Sequence, residues 1–157
     1  MKTDLCAQDV MTPQVLMAYE GWSIKRLSDF FVKNKISGAP VIASDHSLVG
    51  VVTVTDILSF ENKSSEEKGE LLQEVYAEYV GQIYDDTVLQ TMMSKADENC
   101  TVNQVMTNHV IKIDGKASLQ EVAYVMLQHG IRRIFVTQNG IICGVISTRN
   151  ILSAIAR

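Results

Sequence analysis

Gly50-Val51-Val52-Thr53-Val54-Thr55-Asp56-Ile57-Leu58-Ser59 returns, in altered form, as Gly144-Val145-Ile146-Ser147-Thr148-Arg149-Asn150-Ile151-Leu152-Ser153. Each stretch opens on a glycine, runs through apolar residues to a hydroxyl, and carries Asp or Asn three residues later. Upstream, Val10-Met11-Thr12 returns as Val105-Met106-Thr107. The two offsets are 94 and 95 residues, so one residue is lost in between, near Asp45 or Asn139. A duplication of this length means one supersecondary unit used twice, each copy covering the apolar face of the other. Two related clefts then lie between the copies, where a ligand would sit.

The rest of each copy reads alike. Val15-Leu16-Met17-Ala18 and Val110-Ile111-Lys112-Ile113 are short extended runs. Ser23 and Ser118 stand at N-cap positions, and Glu121 completes a Ser-x-x-Glu capping box in the second copy. Ile24, Leu27, Phe30 and Phe31 recur at helical spacing, as do Leu119, Val122, Val125 and Met126. Gly130 ends the second of these helices, and Asn34 or Lys35 the first. Two strands follow in each copy, Ala39–Ala43 with Leu48–Val54 and Arg133–Thr137 with Ile141–Ser147. Asp45-His46 and Asn139-Gly140 supply the turns, the latter a strong hairpin signal. Thr55 and Thr148 are candidate caps of a last helix. The predicted fold class is α+β: two β-α-β-β-α repeats packed by pseudo-twofold symmetry, with a helical insert between them. The boundaries read as 7–59 for the first repeat, 60–101 for the insert and 102–156 for the second repeat.

Within the insert, Asn62–Lys68 is polar and reads as a loop. Leu71, Leu72, Val75, Tyr76, Tyr79, Val80 and Ile83 recur at helical spacing, with Gly81 a weak point, and Val88, Leu89, Met92 and Met93 continue the apolar theme. One or two amphipathic helices are expected, packed on the repeats or on a second chain. Packing on the same chain is favoured, because an apolar stripe is more often core than interface.

The chain has 157 residues, 46% of them hydrophobic, which suits one compact domain or two halves sharing a core. A half-chain domain of about 55 residues would bury only ~60% of its unfolded surface, so the halves should fold together. No apolar run approaches the ~20 residues that cross a bilayer. Met1-Lys2-Thr3-Asp4-Leu5 lacks the apolar stretch of a signal peptide. Cys6, Cys100 and Cys143 form no Cys-x-x-Cys pair; free thiols in a reducing, cytoplasmic setting are expected. The net charge of −4 argues against nucleic-acid binding. Residues 61–99 hold ten acidic side chains against three lysines, leaving the rest of the chain net positive. An anion is therefore better received by the repeats than by the insert.

Catalytic signatures are missing: there is no Gly-x-Ser-x-Gly, no Gly-x-Gly-x-x-Gly and no Walker loop. His46, His109 and His129 are scattered, and no Cys/His spacing suits zinc, so no catalytic residue and no metal ligand is assigned. The repeated strand-to-helix junction remains. A hydroxyl there, Thr53 or Ser147, lies beside the free N–H groups of a helix start, which favour phosphate oxygens. The carboxylate or amide three residues on, Asp56 or Asn150, can bond vicinal hydroxyls as the acidic residue of a dinucleotide fold does. Thr53, Thr55 and Asp56 equally suit a simple helix cap, worth ~1 kcal/mol. Recurrence of the same spacing at equivalent points favours the ligand role. Gly50 and Gly144 are too far back to cradle phosphate and are expected to permit close strand packing.

The arrangement resembles a tandem pair of CBS (cystathionine-β-synthase) domains, a Bateman module. The resemblance rests on Val-Met-Thr opening each copy, Ser37-Gly38-Ala39-Pro40-Val41 before the hairpin, and Gly50–Leu58 closing the first copy. It implies a regulatory module that binds AMP, ADP, ATP or S-adenosylmethionine between the copies, with the adenine nucleotide as regulatory ligand and no required cofactor. Thr53 would contact phosphate and Asp56 the ribose, with Ser147 and Asn150 equivalent in the second cleft. Val15-Leu16 and Val110-Ile111, with Ile36 and Ile131, would line the adenine slot, and Ser37, Gly38, Ala39 and Pro40 are further ligand-binding candidates. The second copy departs from the pattern: Asn150 lacks the charge-assisted bond of an aspartate, and Arg132-Arg133 replaces Ser37-Gly38. Arg132, rather than Arg133, is expected to face the ligand phosphates. A homodimer signalling to an unknown effector protein follows from the resemblance, without nucleic acid or membrane. The alternative is a ligand-free dimerisation and docking scaffold that uses the amphipathic insert.

Overall fold

The computed structural model describes residues 4–80 and 95–157, and the side chains of all of these except 75–80. After a short helix α1 (Ala7–Val10), the first repeat comprises β1 (Ala18–Tyr19), α2 (Ile24–Asn34), β2 (Gly38–Ile42), β3 (Leu48–Thr53) and α3 (Val54–Glu61). The insert supplies α4 (Ser65–Val80) and α5 (Ala96–Asn99), followed by a 3-10 turn at Val102–Gln104. The second repeat comprises β4 (Lys112–Asp114), α6 (Leu119–His129), β5 (Arg133–Gln138), β6 (Ile141–Ser147) and α7 (Thr148–Ile155). Each repeat makes a three-stranded sheet, its first strand parallel to the second and its second antiparallel to the third. The architecture is the expected α+β repeat pair.

Local chemistry accounts for these elements. The Ser23 hydroxyl accepts from the Arg26 N–H, and the Ser118 hydroxyl from the Glu121 N–H, both at 3.1 Å. Helix α2 buries Ile24, Leu27 and Phe31; α6 buries Val122 and Met126. Both end in a left-handed residue, Lys35 at φ 54° and Gly130 at φ 62°. Asn139 and Gly140, at φ 53° and 80°, form the turn between β5 and β6. In the longer turn of the first repeat, the Ser47 N–H and hydroxyl donate to Asp45 Oδ1 at 3.0 and 2.6 Å. Those bonds hold the Asp45 carboxyl below its ordinary range. Ile42 pairs with Leu48 and Thr137 with Ile142, so the residue missing from the second copy falls in this turn.

Three expectations need correction. The extended runs at 15–18 and 110–113 pair over only Ala18–Tyr19 and Lys112–Asp114. The last helices are capped by Thr53 and Ser147 rather than Thr55 and Thr148, because Asp56 and Asn150 stand at the third helical position and close the capping box. Residues 65–68 are helical, not loop. Ser64-Ser65-Glu66-Glu67 is itself a capping box, in which the Ser64 hydroxyl accepts from the Glu67 N–H and donates to its carboxylate, each at 3.1 Å. Helix α4 then leans on its own chain: Leu72 is fully buried with Ile24, Phe60, Ala96 and Cys100, and Gln104 Nε2 donates to the Leu71 carbonyl at 2.7 Å. Gly81, Ile83, Val88, Leu89, Met92 and Met93 lie outside the described residues, as do the side chains of Val75, Tyr76, Tyr79 and Val80.

The two lobes are completed crosswise. Ala7, from the start of the chain, is buried in the second repeat's core with Ile113, Val122, Met126, Ile134, Val136 and Ile146. Val102, from the start of the second copy, is buried in the first repeat's core with Leu27, Phe31, Val41 and Val52. Thr12 exchanges backbone hydrogen bonds with Val145 at 2.8 and 3.0 Å, and Thr107 with Val51 at 2.9 and 3.0 Å. The glycines at 50 and 144 permit these crossings. A Cβ on Gly50 would stand 2.6 Å from Met106 Sδ and 2.9 Å from the Thr107 carbonyl oxygen. One on Gly144 would collide with Met11 Sδ and stand 3.0 Å from the Thr12 carbonyl oxygen. Met11 and Met106 belong to the repeated Val-Met-Thr, so motif and glycine are two halves of one contact.

Gly50→Ala is expected to destabilise the fold by about 1–3 kcal/mol, since overpacking here meets backbone as well as a pliable methionine. Urea unfolding measures it, and Met106→Ala should not restore stability, because the Thr107 carbonyl remains in the way. Burial pushes the Cys100 thiol up to about 11. The folded state therefore favours the neutral thiol, and that contribution, complete below pH ~9, fades as pH rises toward 11. Unfolding midpoints across pH 8–11 should fall less steeply in Cys100→Ala than in the native chain.

Candidate functional site

The site is set by where strands end and helices begin. Thr53 is the last residue of β3, paired with Gly38 at the start of β2; Ser147 is the last of β6, paired with Arg133 at the start of β5. Both keep extended backbone and cap the helix that follows. The Thr53 N–H and hydroxyl donate to Asp56 Oδ2 at 2.7 and 3.2 Å. The Ser147 N–H and hydroxyl donate to Asn150 Oδ1, both at 2.7 Å. The next N–H, of Val54 or Thr148, donates to the carbonyl of Ser37 or Arg132 at 2.9 and 3.0 Å. The two junctions thus have the same wiring, one built on a carboxylate and the other on a neutral amide.

Between the repeats runs a cleft of about 840 Å³. The first repeat lines it with Gln14, Val15, Leu16, Lys35, Ile36, Ser37, Gly38, Ala39, Pro40, Val51 and Thr53; the second with His109, Val110, Ile111, Ile131, Arg133, Phe135 and Val145. Most of the wall is aliphatic or aromatic. Its charged members are Lys35 and Arg133, and no carboxylate is among its lining residues. Such a cavity suits a flat apolar group carrying an anionic tail. Among the described residues no group of His, Cys, Asp or Glu is placed to hold a metal ion.

The sequence-derived candidates fall into two sets. Thr53, Val15, Leu16, Ile36, Ser37, Gly38, Ala39, Pro40, Val110, Ile111 and Ile131 line the cleft. Asp56, Ser147, Asn150 and Arg132 do not; Asp56 and Asn150 are half-buried one turn behind their caps. The expectation for the arginines is reversed, with Arg133 on the wall instead of Arg132. Side chains alternate along a strand, so Arg133 shares the face of Phe135 while Ile134 and Val136 enter the core. Arg132 precedes β5, and its carbonyl is taken by Thr148. Sequence reading missed Gln14, Lys35, Val51, His109, Phe135 and Val145. Two signals point to two of them: the period of two back from Thr53 reaches Val51, and the repeat offset carries Val51 onto Val145.

Comparison with known proteins bears on the same architecture. The CBS domain model matches residues 7–63 and 102–157. A Methanococcus vannielii protein named homoserine O-acetyltransferase is 25% identical over 94% of this chain and 24% of its own length. The chloroplastic CBS domain-containing protein CBSX1 of Arabidopsis thaliana is 28% identical over 80% of this chain and 52% of its own. The chain therefore spans between about a quarter and a half of the first curated relatives it matches. Among solved structures, Arabidopsis CBSX2 in complex with AMP superposes with a TM-score of 0.66 at 22% identity, covering 97% of this chain and 96% of that one. The CBS domain pair of protein MJ0100, in complex with 5′-methylthioadenosine and S-adenosyl-L-methionine, superposes with a TM-score of 0.61 at 17% identity, over 97% and 96% of the two chains. With both repeats matched, the chain belongs to the CBS domain family.

Proposed function

We propose that the chain is a regulatory module that binds an adenine-containing ligand, AMP, ADP, ATP or S-adenosylmethionine, in the inter-repeat cleft and passes the change to a partner protein. One observation carries this reading: a cleft with apolar walls, a helix-capping hydroxyl and two permanent cations, and no lining carboxylate. The complexes of CBSX2 with AMP and of MJ0100 with 5′-methylthioadenosine and S-adenosyl-L-methionine, two proteins of the same fold, support it. In the proposed pose the adenine lies against Val15, Ile36, Val110 and Ile131, beside the Ser37–Pro40 segment. Thr53 and Arg133 meet phosphate or carboxylate oxygens, and Asp56 turns its free oxygen toward the ribose. Ser147 and Asn150 form the weaker, uncharged counterpart. The role is regulatory rather than enzymatic, in the cytoplasm, with no required cofactor.

A homodimer is part of the proposal. Val32 and Leu127 occupy equivalent positions of α2 and α6 and are 78% and 83% exposed; Leu58 and Leu152 are equivalent in α3 and α7, at 57% and 61%. Apolar side chains repeated at pseudo-symmetric sites suit a partner that is itself twofold. The effector would read this assembly.

Thermal unfolding with each of the four ligands tests the binding reading. A ligand at 100 times its dissociation constant should add about 2.7 kcal/mol of stability. Thr53→Val combined with Asp56→Ala should abolish the ligand-induced shift; because it also removes a cap, its ligand-free stability should be about 1 kcal/mol lower. A native protein unmoved by all four ligands at millimolar concentration overturns the reading in favour of a ligand-free scaffold. For the dimer, light scattering should give twice the chain mass for the native protein and the monomer mass for Val32→Glu with Leu127→Glu.

A further inference from the structure

The outer faces of the paired helices differ between the repeats. In the second repeat, α6 and α7 turn Val122, Val125, Met126 and Ile151 toward one shared core. Their outward sides carry Leu127 and Leu152, flanked by Tyr124 and Ile155, which are 64% and 53% exposed. Each flanking residue stands three positions from its leucine, so each helix presents a short apolar stripe. The first repeat keeps the centre of this pattern as Val32 and Leu58, but Asp29 stands at the position of Tyr124 and Glu61 at that of Ile155. Both acids are exposed, and Asp29 lies one turn from the exposed Lys25 and one turn from the exposed Lys33 on α2. The same four positions thus form an apolar face on one repeat and a charged face on the other.

We propose that two copies of this chain meet like on like, with the α6–α7 face of one seated on the α6–α7 face of the other. The inference rests on the homodimer reading above and deepens it, by naming the surface that carries the contact and the orientation of the copies. A contact about a twofold axis presents the same patch from both sides, so that patch must complement itself. The α6–α7 face does so, apolar side chain against apolar side chain. Seating the second repeat on the first would instead bring Asp29 and Glu61 of one copy under the apolar stripes of the other, and would do so twice. A carboxylate taken out of water without a partner is costly, and Arg149, near the start of α7, answers only one of the two acids. First repeat on first repeat brings together the Lys25, Asp29 and Lys33 stripes, whose solvent-exposed ion pairs contribute little. Asp29 and Glu61 therefore act against the mixed arrangement, while Tyr124 and Ile155 favour the matched one.

The experiment has two arms. Sedimentation measures the dimer dissociation constant of the native chain, of Leu127→Glu and of Val32→Glu, with far-UV circular dichroism confirming that each variant is folded; both positions are exposed, so neither change disturbs a core. Leu127→Glu should raise the constant at least ~30-fold, the scale of a residue central to an interface, and Val32→Glu less than about fivefold. Equal effects, or a larger effect of Val32→Glu, overturn the inference. In the second arm a flexible bis-maleimide is added to Leu127→Cys alone and to a mixture of Leu127→Cys with Val32→Cys, the native chain giving the background from Cys6 and Cys143. Leu127→Cys alone should yield a covalent dimer, and the mixture no product joining one chain of each variant. A mixed product without a Leu127→Cys dimer shows that the copies meet first repeat on second, which overturns the inference and leaves the homodimer intact. A native chain of monomer mass in light scattering overturns the homodimer reading, and this inference falls with it.

Discussion

The two backbone crossings, Thr12 on Val145 and Thr107 on Val51, are the constraint on which the rest of the molecule depends. Four hydrogen bonds between 2.8 and 3.0 Å are modest in net energy, about 1 kcal/mol each. Their consequence is topological. Each Val-Met-Thr segment leaves its own repeat and closes the other one, delivering Ala7 to one core and Val102 to its counterpart. Neither lobe has a complete core without the other's entry segment. A methionine lies over a strand at each crossing, and glycine is the residue whose missing Cβ leaves room for it.

The cleft follows from that arrangement. With the lobes held face to face, the alternate residues of β3 and β6 that turn away from the packed cores, Val51 and Val145, become walls instead of surface. The stretches at 15–16 and 110–111 lie along the same gap, where regular strand pairing does not reach them. Thr53 stands where the gap meets a helix start. Its hydroxyl is bonded to Asp56, so the polar group is satisfied in the free protein. A ligand bound as proposed at this position would exchange one hydrogen bond for another, which keeps the net gain per contact small. Selectivity would then rest on charge and shape more than on that single hydroxyl.

The repeats have diverged in chemistry while keeping their geometry. One junction is closed by a carboxylate and the other by an amide, with the N–H to side-chain oxygen distance at 2.7 Å in both. Among the described residues the insert leans on the first repeat and on the opening segment of the second: Leu72, Ala96 and Cys100 join Ile24 and Phe60 in a separate small core, and Gln104 donates to the Leu71 carbonyl. The aromatic run Tyr19, Trp22 and Phe30, with the Arg26 guanidinium 4.5 Å above the Trp22 ring, is confined to the first repeat. Shape is thus preserved by the crossings, which tolerate little change, whereas the outer faces are free to specialise.

Element order, the hairpin turns and the starts of α2 and α6 were legible in the residues, because they are decided by neighbours within about four positions. Ser23, Ser118, Gly130 and Asn139-Gly140 each act on backbone close by, and the repeat offset transfers every such assignment to the other copy. The resemblance carried by Val-Met-Thr and Ser37–Val41 reached the family and much of the cleft wall. The Ser64–Glu67 box was equally local but was obscured by a polar composition that also suits a loop. Which repeat each Met-Thr segment completes, that Arg133 rather than Arg132 reaches the cleft, and that His109 stands in the same wall as Lys35 were decided only by the tertiary structure. Those facts depend on residues about fifty to more than a hundred positions apart, and on the face a strand turns toward a neighbour that local sequence does not name.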